Sequence, residues 1–311
     1  MLDNLFHFSI IIENYLIMNP FLSISRLTFI LLFLVTNCTF AQSVLKESLG
    51  IKSSVLGKEI RYSVLLPADY DRSNRKYPVL YLLHGYSDDE TGWTQFGEVK
   101  DIADRESASG NMTAMIIVMP DADVSWYINS ADGKVRFEDF FVKEFIPYID
   151  QNYRTRTDRQ FRAVAGLSMG GYGTCIMSMK HPDLFSAAAP LSAAIWTDDE
   201  TRKMDAGIWS ILEPAFGKNP PGDARLTEHY KRNSILELIN SGNTEELKKV
   251  SYYFDCGDDD FLIQGNMAAH AAMINKGIPH EFRVRDGAHN WTYWRTALPD
   301  VFRFVTSAFH R

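Results

Sequence analysis

Apolar and polar positions fall into short blocks along this chain, and the block type alternates in a regular rhythm. Lys58 to Leu66 alternates apolar with polar, as a strand with one buried face does. Pro78 to Leu83 is continuously apolar and stops at His84-Gly85. Ala114 to Met119, Phe161 to Leu167, Ser186 to Leu191, Val250 to Cys256 and Glu281 to Arg285 follow as further strand-like runs. Short apolar runs without alternation suit parallel strands buried on both faces. Between them the periodicity predicts helices over roughly Val99 to Ser107, Glu138 to Gln151, Gly170 to His181, Phe261 to Lys276 and Tyr293 to Phe309. The βαβα order predicts an α/β fold, a mostly parallel sheet flanked by helices on both faces. Ligands of such folds collect beyond the carboxyl ends of the strands. From about Trp196 to Leu247 the rhythm breaks around Gly-Lys-Asn-Pro-Pro-Gly at 217–222. That segment reads as an insertion over the active edge, with a lid and mere packing decoration both open.

The amino terminus has a different pattern. Leu27 to Thr36 is an unbroken apolar run, preceded by Arg26 and followed by Thr39-Phe40-Ala41-Gln42. It is too short to span a bilayer comfortably, and its flanks suit a signal peptide cleaved before Gln42. Residues 1–41 are therefore expected to be an N-terminal extension and signal peptide, with translation starting at Met18, and residues 42–311 the catalytic domain. Export to the periplasm or beyond is the expectation. Lipidation at Cys38 is the alternative, although Asn37 before it fits that signal poorly. Without that segment, Cys175 and Cys256 remain, two strands apart in the expected fold and too far for a bridge.

A net charge of −7 with dispersed Lys and Arg argues against a nucleic-acid partner. No zinc, calcium or phosphate-loop spacing occurs, so neither a metal nor a cofactor is expected.

The candidate chemistry begins at Gly166-Leu167-Ser168-Met169-Gly170, where a strand-like run passes into a helix-like one. A sharp strand-to-helix turn exposes a serine hydroxyl, and small flanking residues let it form. A serine hydroxyl needs an imidazole to accept its proton, and the imidazole needs a carboxylate to orient it. His289, in the loop after the last strand, is the candidate base. Of the other histidines, His84 ends a strand beside Gly85, where it can shape the loop donating to an oxyanion. The acid comes from the turn carrying Asp255, Asp258, Asp259 and Asp260, with Asp260 leading. The amides of Tyr86 and Met169 occupy the positions that would hold an oxyanion. Trp126, Tyr127 and Trp291 follow strand ends and are candidates for stacking on substrate or for filling the core.

These residues resemble the esterase D-like α/β-hydrolases, in particular carbohydrate esterase family 1, which includes feruloyl and acetylxylan esterases. The likeness runs from about Leu45 to Phe309. It rests on Tyr77 to Gly85, Trp93, Val118-Met119-Pro120-Asp121, Phe145-Ile146-Pro147-Tyr148-Ile149, Gly166 to Gly171, Cys256-Gly257 with Asp260 three residues on, and His289-Asn290-Trp291-Thr292-Tyr293-Trp294. The resemblance implies the α/β-hydrolase fold and serine-dependent hydrolysis of carboxylic esters through an acyl-serine. Ser168, Asp260 and His289 would be its triad, and the Tyr86 and Met169 amides its oxyanion donors. Substrates would be feruloyl or acetyl esters of plant cell-wall polysaccharide such as xylan, or small aryl esters. An acyltransferase and an S-formylglutathione hydrolase-like thioesterase are the alternatives within the same fold.

Overall fold

In the computed structural model, which describes residues 42–310, eight strands form one sheet. They are β1 (Val44–Lys52), β2 (Glu59–Leu66), β3 (Val79–Leu83), β4 (Ile116–Pro120), β5 (Arg162–Leu167), β6 (Ala187–Leu191), β7 (Ser251–Gly257) and β8 (His280–Arg285). Their spatial order is β1-β2-β4-β3-β5-β6-β7-β8. The first two strands pair antiparallel, β2 pairs antiparallel with β4, and every later pairing is parallel. The expectations about the signal peptide, the Met18 start and Cys38 lie outside the described residues.

The continuous apolar runs have the cause their pattern implied. In β3, Val79, Tyr81 and Leu83 pack on one side of the sheet, and Leu80 and Leu82 on the other. The first side is covered by the helices Met169–Lys180 and Ile263–Asn275 and by the helical stretch Phe137–Asn152. The second is covered by Val99–Ala108 and Trp291–Phe309. The Phe137–Asn152 stretch widens into a π-turn over Phe141–Phe145. Pro147 lies just beyond it and has no N–H to offer the carbonyl four residues back, which favours the wider turn.

Strand β1 does not show in the hydrophobic pattern. A register shift between Lys46 and Leu49, with Ser48 at φ 53°, breaks the alternation that would have revealed it. The 196–247 segment holds short α-helices, each opened by a side-chain cap at Thr197, Asp205, Thr227, Ser234 or Asn243, with a 3₁₀ turn at Asp223–Arg225 between them. It is tied down rather than loose. Tyr172 Oη donates to Asn233 O (2.7 Å), Trp126 Nε1 donates to Ile211 O (2.9 Å), and Trp209 and Phe216 are buried in the core.

The order of strand connection reverses at β3, which lies between β4 and β5. The carboxyl ends of β3 and β5 therefore open side by side, and a crevice at such a switch point is where an α/β sheet binds its ligand. Among the described residues no helix is long and apolar enough to cross a membrane.

Candidate active site

Strand β5 is buried along its whole length, and its next residue, Ser168, has φ 54° and ψ −115°. A non-glycine residue holds such a conformation only where its surroundings impose it. Here they do so through the main chain. Ser168 N donates to Leu191 O (2.9 Å), and Ser168 O accepts from Tyr172 N (2.9 Å) and Ala194 N (3.1 Å). The following helix starts at Met169 and runs against β3 so closely that a Cβ on Gly170 would stand 2.5 Å from Leu83 O. That contact forces glycine here.

The base and acid arrive on neighbouring loops after β8 and β7. Ser168 Oγ donates to His289 Nε2 (2.9 Å), and His289 Nδ1 donates to Asp260 Oδ2 (2.8 Å). Asp260 is 1% exposed, and its Oδ1 accepts from Leu262 N (2.9 Å). Burial pushes its carboxyl up, but the hydrogen bond and charge of His289 outweigh this and hold it below the usual carboxylate range. The two loops are latched by Asp258 N to Arg285 O, Asp259 N to Gly287 O and Gly287 N to Asp258 Oδ1, each 3.0 Å.

Geometry separates the four crowded carboxylates. Asp255 is fully buried and spent on Tyr253, Tyr293 and Arg285. Asp258 and Asp259 are exposed and, with Asp286, form a surface acidic group in which Asp258 serves the loop latch. Only Asp260 meets the imidazole.

Facing the serine is the loop after β3. A Cβ on Gly85 would lie 3.7 Å from Ser168 Cβ, so the chain leading to the Tyr86 amide passes close to the serine side chain. The Met169 amide heads a helix, where the first N–H groups have no partner within the helix. His84 braces this loop: Nε2 accepts from Ala122 N (2.8 Å), which leaves Nδ1 to donate to Gly85 O (2.7 Å). Burial lowers the His84 pKa and favours this neutral form. Cys175 and Cys256 are buried free thiols, both pushed up by burial.

The aromatic candidates divide. Tyr127 is fully buried, its hydroxyl donating to His84 O (3.0 Å), and Trp126 is 2% exposed among Tyr86, Tyr172 and Trp196. Both residues have φ 57°, and both rings are packed in the core. Of the two roles open for this pair, contact with substrate or filling of the core, their burial fits the second. Trp291 is half-buried, edge-on to Trp93 and Trp294. Sequence reasoning missed Phe261, which packs on His289 with ring centroids 4.6 Å apart and is 73% exposed. Its place directly after the candidate acid was the available signal.

Fold and site geometry together define an α/β-hydrolase fold carrying a Ser–His–Asp arrangement. The chain belongs to the Esterase family, whose sequence profile matches residues 53–305. It is 30% identical over 271 residues to an esterase of Mycobacterium tuberculosis, covering 81% of this chain and 56% of that protein. It is 32% identical over 203 residues to the endo-1,4-beta-xylanase/feruloyl esterase of Xylanibacter ruminicola, covering 62% of this chain and 28% of that one. The chain thus spans only part of the length of these relatives. A solved ferulic acid esterase structure superposes with a TM-score of 0.73 at 37% identity, covering 86% of this chain and 99% of that one.

Proposed function

We propose that this protein is an exported serine esterase that hydrolyses feruloyl or acetyl esters of plant cell-wall polysaccharide through an acyl-serine intermediate. The observation that carries this reading is the unbroken path from Ser168 Oγ to His289 Nε2 and from His289 Nδ1 to Asp260, at 2.9 and 2.8 Å. In it, His289 takes the Ser168 proton as Oγ attacks the ester carbonyl, and the Tyr86 and Met169 amides receive the oxyanion. As the tetrahedral intermediate collapses, Nε2 returns the proton to the departing alcohol. Water, activated by the same imidazole, then releases the acid. Asp260 stays ionised and stabilises the imidazolium.

The choice of acyl group leans on similarity to the Xylanibacter ruminicola protein and the ferulic acid esterase structure. Export leans on the apolar run at 27–36. Ser168→Ala tests the chemistry. Turnover of methyl ferulate and of 4-nitrophenyl acetate should fall by at least about 10⁴-fold, since the residue is the attacking atom itself. Wild-type-like turnover in that variant would overturn the mechanism, and faster turnover of S-formylglutathione than of either ester would move the substrate class.

A further inference from the structure

The imidazole of His289 is held between two rings of opposite character. Trp294, 6% exposed, meets it edge-to-face at 4.9 Å, and Phe261, 73% exposed, lies against it at 4.6 Å. Trp294 belongs to the core. Phe261 does not: its neighbours Asp260 and Leu262 are 1% and 2% exposed, so the chain is anchored on either side and the phenyl alone projects. The turn is fixed by Leu262 N to Asp260 Oδ1 (2.9 Å) and Ile263 N to Asp260 O (3.0 Å). Among the described residues Phe96 is the other exposed large aromatic, and it too joins this cluster. It lies 5.9 Å from Trp291, which lies 5.3 Å from Trp294. Isolated exposed apolar side chains need no explanation, but here both exposed phenyls sit on the aromatic chain that passes through the base.

We propose that Phe261 is the seat for the leaving alcohol of the ester, taking the flat C–H face of a sugar or the ring of an aryl alcohol. This rests on the esterase reading above, and the chemistry of that reading sets the direction. When the acyl C–O bond breaks, the proton on His289 Nε2 goes to the departing oxygen, so the alcohol must leave on the imidazole side of Ser168. The oxyanion amides of Tyr86 and Met169 take the carbonyl oxygen at a separate position. The exposed apolar surface touching the imidazole is Phe261, and an aromatic face gains by covering a sugar's C–H face or another ring.

The experiment holds the acyl group constant and varies the alcohol, using methyl acetate, 1-naphthyl acetate and O-acetylated xylose. Wild type should favour the two larger alcohols over methanol in kcat/KM, and Phe261→Ala should cut that preference about tenfold, mostly through KM. Phe261→Trp should restore it. If Phe261 only shields the imidazole, all three esters lose equally and the preference survives, which overturns the proposal. Equal wild-type rates for the three alcohols overturn it as well. Failure of wild type to hydrolyse any of them, with no labelling of Ser168 by a fluorophosphonate, would instead refute the underlying esterase reading.

Discussion

Around Ser168 the chain is held by main-chain contacts: three backbone hydrogen bonds, a helix seated on β3 with no room for a Cβ at Gly170, and a strand buried throughout. Around His289 and Asp260 the holding groups are largely side chains and loop amides at the margin of the sheet. There β8 is partly exposed and His289 keeps 17% of its side-chain surface in solvent. The nucleophile is thus placed by the main chain and its close packing, and the acid–base pair largely by side-chain polar contacts. Packing is indifferent to charge and intolerant of volume, while a hydrogen-bonded pair is the reverse. Substitutions in the two regions should therefore fail in different ways.

The largest effect expected in this contrast is at Asp260. Replacement by Asn preserves shape and removes the charge that stabilises the imidazolium, and it also favours the wrong imidazole tautomer. Turnover of 4-nitrophenyl acetate should fall about 10⁴-fold while thermal unfolding changes little. Asp259→Asn, one residue away and exposed, should stay close to wild type. Equal losses in the two variants would show that the acid is misassigned.

Gly170→Ala is the matching change at the strand-to-helix turn, the elbow that carries Ser168. The added methyl would stand 2.5 Å from Leu83 O and 2.6 Å from His84 O, both main-chain atoms that cannot step aside. Overpacking of this kind costs about 1–3 kcal/mol or more, so the melting temperature should drop by several degrees. Activity should fall with it, because the same shift moves Met169 N and Ser168 Oγ. A variant that melts like wild type yet is inactive would blur the distinction between the two regions.

What the sequence disclosed follows the same division. Buried parallel strands such as β3, β5 and β6 must be apolar on both faces, so they stand out as runs. The elbow needs glycine at set positions and leaves a motif. The acid did not stand out equally well, because four carboxylates share one turn and only the three-dimensional path to the imidazole sorts them. For Trp126 and Tyr127 the sequence left stacking and core filling both open, since a strand-end position does not say which way a ring turns, and two successive left-handed residues turn the chain there. Phe261 was hidden by its apolar character, which suggested the buried start of a helix that in fact begins at Ile263.

The smallest effect expected lies where the two constructions meet, on the loop that carries Gly85 and Tyr86. Asp88 Oδ2 would stand 3.4 Å from a Cβ on Gly85. Its carboxyl is pushed up to about 6, first by burial and then by the charge of Asp89, with the Gly85 backbone pulling the other way. A carboxyl raised above its unfolded value of 3.8 binds more protons folded than unfolded between those two pH values. The stability it contributes is therefore complete below about pH 4 and disappears as pH rises through about 6. Asp88→Asn keeps an oxygen for the Gly85 amide and removes the titration. The melting temperature of the variant minus that of wild type should accordingly rise by roughly 1–3 °C from pH 4 to pH 7.5. A difference that stays flat over this range would mean that Asp88 ionises like a surface carboxylate and contributes nothing pH-dependent to the hold on the oxyanion loop.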